Sequence, residues 1–151
     1  MLDGEGFIAS LLSRGITVKN KRVWLAGAGG AASAIAWALA EQQVSELIIY
    51  NRTPEKSAEL IRKLSHSFPA TQIVAGDNIP RQVDIAINGT SVGMGEGLAM
   101  PFSLDALDPR TLICDIVIFP ENTALLTQAS RQWPHAFNVL SVRVVLIREY
   151  R

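Results

Sequence analysis

The chain of 151 residues has the length of one ordinary domain, and its 48% hydrophobic content is enough for a single buried core. Its 14 Lys and Arg residues balance 14 Asp and Glu residues, so no excess of positive charge favours nucleic acid or an anionic membrane as a partner. Cys114, the one cysteine, excludes an internal disulfide and a cysteine-rich zinc site, and neither a membrane-spanning run nor a signal peptide is evident. We therefore expect a cytoplasmic protein without a metal site, whose partners are small molecules or other proteins.

The first element predicted along the chain is an amphipathic helix. It covers residues 2–14 and carries Phe7, Ile8, Leu11 and Leu12 on one face. We interpret it as a linker helix that leads into the domain.

A βαβ unit follows this helix. Residues 23–26 and 47–50 are apolar runs with the length of buried strands, and the alanine-rich stretch 31–43 between them predicts a helix. A second helix is expected to begin at Pro54, with Thr53 as its N-cap.

Three more strands are predicted, at residues 72–75, 83–87 and 112–118, and a last helix is predicted at 122–132. This alternation of strands and helices indicates an α/β fold. We expect a Rossmann-type, doubly wound and mainly parallel sheet with helices on both faces.

The end of the chain fits this scheme less well. Residues 139–147 are β-prone and apolar, and they can be a sixth strand or an unnatural end. We therefore place the nucleotide-binding domain at residues 1–134 and treat residues 135–151 as an atypical C-terminal tail.

A glycine-rich turn joins the first predicted strand to the helix after it. The pattern G-x-G-x-x-A is weak evidence alone and also occurs in turns that bind nothing, but here it follows a strand and opens a helix. Gly27 permits the tight turn, Gly29 lets the backbone approach a pyrophosphate, and the small Ala32 lets helix and strand pack closely. Free N–H groups at the helix N-terminus then face the phosphates. The predicted cofactor contacts of this turn are Gly27, Ala28, Gly29, Gly30 and Ala31.

The end of the second strand bears on the choice between NAD and NADP. An acidic side chain about twenty residues after the turn would bind the adenosine ribose of NAD. The sequence has Asn51, Arg52 and Thr53 there, with Lys56 a turn later. A guanidinium pairs with a 2′-phosphate, and the other three side chains add donors. NADP is therefore the predicted cofactor, the alternative being that Arg52 and Lys56 are ordinary surface charges at a helix start.

Three motifs resemble one family, the shikimate dehydrogenases and their quinate/shikimate relatives. The glycine turn with residues 51–53 resembles its cofactor signature, residues 84–94 resemble the segment after its fourth strand, and residues 3–7 resemble its substrate-side motif. The step from Pro120 into the last helix is similar as well. The motifs stand in the family's order, whereas glutamyl-tRNA reductase shares the glycine turn and the Asn-Arg-Thr segment but not the start.

The resemblance implies an NADP-dependent oxidoreductase of the shikimate pathway, which serves aromatic amino acid biosynthesis. Such an enzyme interconverts shikimate and 3-dehydroshikimate by hydride transfer, with quinate as the other family-level substrate. Asp3 would be the catalytic aspartate, which orients the reacting hydroxyl and shares in proton transfer. The cofactor contacts carried over from the segment after the fourth strand are Asn88, Thr90, Ser91, Val92 and Met94.

The chain also departs from the family pattern. Met1 and Leu2 stand where the family has Asn-Thr, so we expect the N-terminal substrate domain and its catalytic lysine to be absent. Ile118 replaces a substrate-contacting tyrosine, and the family's C-terminal Gly-x-x-Met-Leu-x-x-Gln segment is not found. We expect a truncated member that is inactive alone. The alternatives are a non-catalytic NADP-binding module and a docking partner for a separate substrate domain, and a homodimer is a further expectation.

Several conspicuous residues have simpler explanations than catalysis. Asp84 and Asp115 are expected at strand edges or in caps, and Asn88 at a strand end can bond loop backbone rather than a ligand. Trp24 is expected to serve packing, and Cys114 to be a buried small hydrophobe.

Overall fold

The computed structural model describes the backbone of residues 2–134 and 139–141 and the side chains of residues 4–134. Helices and strands alternate along the first half of the chain, and the second half adds two strands, a helix and a last short strand. In chain order the elements are α1 (Leu2–Leu12), β1 (Arg22–Ala26), α2 (Gly30–Glu41), β2 (Glu46–Tyr50), α3 (Pro54–Ser67), β3 (Gln72–Ala75), β4 (Ile85–Asn88), β5 (Leu112–Asp115), α4 (Ala124–Gln132) and β6 (Val139–Ser141).

The described strands form one sheet in the order β3-β2-β1-β4-β5-β6. Every neighbouring pair is parallel, and Ala26 at the end of β1 pairs with Tyr50 on one side and Asn88 on the other. The strand order reverses direction between β1 and β4, and a crevice for ligands opens at such a point, outside the carboxyl ends of the strands. The predicted Rossmann-type sheet is confirmed, and residues 139–141 form the sixth strand.

The element boundaries differ from the predictions at β5 and α1. Strand β5 ends at Asp115 instead of residue 118, because the Asp115 side chain accepts a hydrogen bond from Val117 N at 3.0 Å and turns the chain. Helix α1 ends at Leu12 in a turn where Gly15 has φ +72° and Ile16 N donates to Leu11 O, as in a Schellman motif. Leu12, at the end of the helix, is 52% exposed, whereas Phe7, Ile8 and Leu11 are buried.

Apolar side chains cover both faces of the sheet. One cluster includes Phe7, Ile35 and Leu64 and joins α1, α2 and α3 to the sheet. A Cβ at Gly4 would collide with the Ala34 carbonyl oxygen, so α1 needs glycine there to lie against α2. None of the helices in the described part of the chain is long and apolar enough to cross a membrane.

The second cluster surrounds Trp24 on the opposite face. The Trp24 ring stacks with Tyr50 at 6.0 Å between centroids and meets Phe102 edge-on at 4.8 Å. Leu104 and Leu125 complete this cluster between the sheet, the 102–104 segment and α4. The predicted packing role of Trp24 is confirmed.

Candidate functional site

The turn between β1 and α2 requires glycine at its first position. Gly27 has φ +115°, a value that side-chain-bearing residues rarely adopt, and its N–H donates to Tyr50 O at 2.7 Å. A Cβ there would lie 3.0 Å from both Gly89 O and the Ala32 methyl group. The turn therefore crosses close above the end of β4.

The N-terminus of α2 is left open by the same turn. Its N-cap residue, Gly29, has no side chain to cap the helix, and the first turn carries no acidic residue. Cβ atoms built at Gly29 or Gly30 would meet nothing within 4 Å. Backbone N–H groups in the first turn of a helix lack intrahelical acceptors, so this end is suited to bind an anion.

A pocket of about 910 Å³ opens beside the carboxyl ends of β1 and β2. We call it the β2-side pocket. Tyr50, Asn51 and Arg52 form one wall, and the segment 100–105 faces them together with Gln128 of α4.

A second pocket, of about 500 Å³, lies where the glycine turn faces the ends of β4 and β5. We call it the β5-side pocket. It is lined by residues 27–31, by Thr90, Ser91 and Met94, and by residues 116–119. Gly27, Asn51, Thr90 and Ser91 line both pockets, so the two halves form one continuous cleft across the sheet edge.

Arg52 lines the β2-side pocket. The side chain is exposed and forms no ion pair within the described residues. Asn51 stabilises the turn that presents it, because its Nδ2 donates to Thr53 O at 3.0 Å. Thr53 stands at the N-cap of α3, as predicted, but its side chain makes no capping hydrogen bond. Lys56 lines a different hollow, between α2 and α3.

Asn88 shapes the loop that follows β4. Its side chain is fully buried; Oδ1 accepts from Thr90 N at 3.0 Å and from Thr90 Oγ1 at 2.6 Å, while Nδ2 donates to Val92 O at 3.1 Å. Thr90 Oγ1 in turn accepts from Val92 N at 3.0 Å. The expectation that Asn88 bonds loop backbone is confirmed, and the arrangement holds Thr90 and Ser91 at the cleft.

Asp115 lies buried at the end of β5. Its carboxylate accepts from Asn88 Nδ2 at 3.0 Å, from Val117 N at 3.0 Å and from Thr123 Oγ1 at 2.7 Å. Burial raises the pKa of this carboxyl above the usual aspartate range, while the three hydrogen bonds act to lower it. The bond from Val117 N confirms the strand-edge role that was predicted for Asp115. The bonds to Asn88 and Thr123 had not been predicted.

Apolar side chains surround the mouth of the β5-side pocket. Met94 is 60% exposed and Phe119 is 69% exposed, and Ile118 is also partly open to solvent. A rim of this kind excludes water once something covers it.

Two further candidate residues belong to α1 and β5. Asp3 belongs to α1, and its side chain lies outside the described ones. Cys114 is fully buried within β5, and burial raises the pKa of its thiol, so it is the inert small hydrophobe that was predicted. No three metal-binding side chains lie together in the described part of the chain.

Sequence reasoning missed the wall of the β2-side pocket that comes from distant segments. Phe102, Leu104 and Gln128 line that pocket from an irregular segment and from α4. Neither stretch carries a local motif, and only the packing of the 102–104 segment against Trp24 brings it to the cleft. Thr123 gave a weak signal, as a threonine just before a helix, where N-caps are common.

The cleft fits a dinucleotide in shape and chemistry. Its centre is the uncapped helix N-terminus, which suits a pyrophosphate, and the pockets to either side have room for one nucleoside each. Arg52 adds a positive group without an ion-pair partner among the described residues, at the end of β2.

Known proteins share this architecture. The family model for shikimate/quinate 5-dehydrogenase matches residues 10–94. The shikimate dehydrogenase (NADP(+)) of Nitrosopumilus maritimus (strain SCM1) is 34% identical over 133 residues, which cover 86% of this chain and 48% of that protein.

Solved structures agree. The ligand-free 5-ketofructose reductase of Gluconobacter sp. strain CHM43 matches with a TM-score of 0.82 and 31% identity, over 96% of this chain and 53% of its own. The shikimate 5-dehydrogenase from Thermus thermophilus, solved with NADP(H) and shikimate, matches with a TM-score of 0.77 and 26% identity, over 96% and 51%. The chain thus spans about half the length of these relatives. By its family match, its relatives and its fold, the chain belongs to the shikimate/quinate 5-dehydrogenase family.

Proposed function

We propose that this chain is the NADP-binding part of an oxidoreductase of shikimate dehydrogenase type. The observation that carries the proposal is the pairing of an uncapped α2 N-terminus with Arg52, which has no ion-pair partner among the described residues. The first feature suits the pyrophosphate of any dinucleotide, and the second suits the 2′-phosphate of NADP. The relative from Nitrosopumilus maritimus is named for NADP(+), in agreement with this choice.

The pyrophosphate is assigned to the glycine turn. Gly29 and Gly30 leave open space where a side chain would stand, and the N–H groups of the first turn of α2 donate to the phosphate oxygens. The residues assigned to this part of the site are Gly27, Ala28, Gly29, Gly30 and Ala31.

The 2′-phosphate is assigned to the end of β2. Arg52 makes the main contact, because a guanidinium donates two parallel hydrogen bonds to a phosphate. Asn51 and Thr53 hold the turn and add polar groups, as their hydrogen bond at 3.0 Å indicates. Lys56 lies in the neighbouring hollow, so its contribution is positive potential rather than a defined contact.

The nicotinamide is assigned to the β5-side pocket. When bound there, it supplies the ring that takes or gives the hydride. The chain orients it with Thr90 and Ser91 on the loop that Asn88 shapes, on which the next cofactor contact, Val92, lines the β2-side pocket. Met94, Ile118 and Phe119 provide apolar walls that keep water from the ring.

The substrate, shikimate or quinate, is assigned to a separate substrate-binding domain. In this proposal residues 1–134, with the α1 linker helix, form the cofactor domain, and residues 135–151 form a tail whose residues 139–141 add strand β6 to its sheet. The exposed rim around Met94 and Phe119 is the surface such a domain would cover, since the relatives are twice as long as this chain. Asp3 would act on the reacting hydroxyl only within that assembly.

Calorimetric titration of the purified chain with NADP, and in parallel with NAD, tests the cofactor assignment. We expect NADP to bind at least about tenfold more tightly, because one charge-assisted contact contributes about 1.4 kcal/mol or more. Equal affinities, or no binding of either cofactor, would overturn the proposal.

An assay of shikimate oxidation tests the domain assignment. We expect the 151-residue chain with NADP and shikimate to release no NADPH above the rate of the mixture without protein. Turnover by the chain alone would show that the substrate site is not on a separate domain.

A further inference from the structure

We propose that Asp115 is a positioning residue: it joins the two loops on either side of the β5-side pocket and so sets the nicotinamide half of the cofactor site. This inference rests on the NADP site proposed above. It concerns a buried residue that lines neither pocket.

Three hydrogen bonds meet at the Asp115 carboxylate. Oδ1 accepts from Asn88 Nδ2 and Val117 N, both at 3.0 Å, and Oδ2 accepts from Thr123 Oγ1 at 2.7 Å. Asn88, Asp115 and Thr123 have at most 1% of their surface exposed, and Val117 has 2%. A buried carboxylate with donors from three segments holds those segments in one arrangement, because each lost donor would be left unpaired away from water.

The loop after β4 depends on the bond between Asp115 and Asn88. The Asn88 amide that meets Asp115 also donates to Val92 O at 3.1 Å, and the other end of the same side chain accepts from Thr90. Asn88 can make both sets of bonds only while its side chain is held in this orientation. Asp115 thus acts on Thr90 and Val92 through Asn88.

The loop after β5 is bonded to Asp115 at both of its ends. Asp115 binds Val117 directly, and Thr123 accepts from Leu126 N at 3.3 Å as the N-cap of α4, which fixes the far end of the loop. At the rim the two loops meet again, because Gly95 N donates to Phe119 O at 2.8 Å. The carboxylate is the buried link between them and the backbone bond is the exposed one.

The glycine turn and Arg52 have no part in this network, although Thr90 and Val92 also line the β2-side pocket. The hydrogen bonds of Asn88, Asp115 and Thr123 reach residues 90, 92, 117 and 126, and none reaches the glycine turn or Arg52. Loss of the carboxylate should therefore disturb the loops that hold the nicotinamide and spare the phosphate contacts at the glycine turn and Arg52. A merely structural role would weaken both halves together, because the folded fraction itself would fall.

Two ligands separate these outcomes. NADPH is followed by the fluorescence anisotropy of its nicotinamide, and adenosine 2′,5′-bisphosphate, which lacks the nicotinamide half, is followed by calorimetry. We expect Asp115→Ala to weaken NADPH binding on the order of tenfold and to leave the affinity for the bisphosphate within about twofold. Asp115→Asn keeps an acceptor for Asn88 and Val117, so it should restore NADPH affinity to within about threefold of wild type.

Asp84→Ala is the matched control. Asp84 directly precedes β4 and accepts a hydrogen bond from Arg22 N at 2.8 Å. Unlike Asp115, it is exposed and lies at the amino-terminal ends of the strands, away from the cleft. We expect it to change neither affinity. An equal loss of both ligands in Asp115→Ala, or an Asp115→Asn variant as weak as the alanine variant, would overturn the inference.

A second pair of variants tests the inference if Asp115→Ala does not fold. Thr123→Val removes one donor to Asp115 at nearly constant volume, and Thr123→Ser keeps it. The inference expects weaker NADPH binding in the valine variant alone, with the bisphosphate unaffected in both, and any other pattern would overturn it. If wild type binds neither ligand, the proposed NADP site fails and the role of Asp115 fails with it; if wild type binds both, only the inference is in question.

Discussion

The two halves of the cleft are built in different ways. On the β2 side, Gly27 and Arg52 are placed by short turns that leave strands β1 and β2 directly, within a βαβ unit that is continuous in the sequence. On the β5 side, the walls are two irregular loops joined by buried hydrogen bonds between Asn88, Asp115 and Thr123, which lie 27 and 8 residues apart.

The two sides therefore have different roles. The β2 side supplies groups that recognise a ligand, and the β5 side sets the geometry in which the ligand is held. The β2 side offers backbone N–H groups and a guanidinium that a ligand can meet without rearrangement of the core. The β5 side offers mainly apolar surface, and its shape depends on bonds that no ligand touches. We expect substitutions on the β2 side to change which cofactor binds, and substitutions on the β5 side to change how its reactive end is held.

The largest expected effect comes from the turn that both halves share. Gly27→Ala should lower the free energy of unfolding by about 3 kcal/mol, because a side chain at φ +115° is strained and its Cβ would press on Gly89 O. Gly29→Ala is the matched control, since Gly29 has φ −80° and open space around a Cβ. Urea denaturation measures both variants, and a similar loss in the two would contradict the account.

Gly29→Ala should separate stability from cofactor binding. Its stability should stay within about 0.5 kcal/mol of wild type, because the new methyl group enters the cleft and not the core. The same methyl group should weaken both NADP and adenosine 2′,5′-bisphosphate, since both place phosphate at the helix N-terminus.

The next effect is on cofactor choice. Arg52→Gln should weaken NADP on the order of tenfold and leave NAD nearly unchanged, because the guanidinium is assigned to the 2′-phosphate alone. Lys56→Gln should change NADP affinity by about twofold or less, since Lys56 lines another hollow. Calorimetry with both cofactors decides, and a larger loss in Lys56→Gln than in Arg52→Gln would reverse the assignment.

The smallest effect is a pH dependence of stability. Burial raises the pKa of Asp115 in the folded chain, although bonds from Val117, Thr123 and Asn88 oppose the shift. Folded Asp115 therefore holds its proton more tightly than the unfolded chain does. Its favourable contribution is complete below the ordinary aspartate pKa and is lost as the pH rises through the folded value.

Comparison with Asp115→Asn isolates this titration. The stability of wild type relative to the variant should fall as the pH rises from about 4 toward neutrality. Urea denaturation of both proteins at a series of pH values measures the difference. A relative stability that rises with pH would show that hydrogen bonding outweighs burial at this carboxyl.

The same division explains how far sequence reasoning reached. The βαβ unit was predicted within about two residues, since α2 was expected at 31–43 and runs over Gly30–Glu41. Its signals are local: a period in apolar residues, a glycine turn and a missing acid. The fold class and the residues of the β2 side follow from them.

The β5 side was beyond such signals. Strand β5 was expected to run through residue 118, because the residues after Asp115 are as apolar as those before it. The chain turns at Asp115 because its side chain captures Val117 N, and whether a side chain does this depends on partners distant in sequence.

The most direct test of the account is an NMR titration of the ¹⁵N-labelled chain with NADP and then with adenosine 2′,5′-bisphosphate. With NADP, the account predicts shifts in the amides of residues 28–31, of Arg52 and of residues 90–94, at both halves of one cleft. With the bisphosphate it predicts shifts in the first two groups and none in Met94, because residues 90–92 also line the β2-side pocket. Shifts confined to other surfaces, or the same shifts with both ligands, would contradict a cleft whose two halves hold the two ends of NADP.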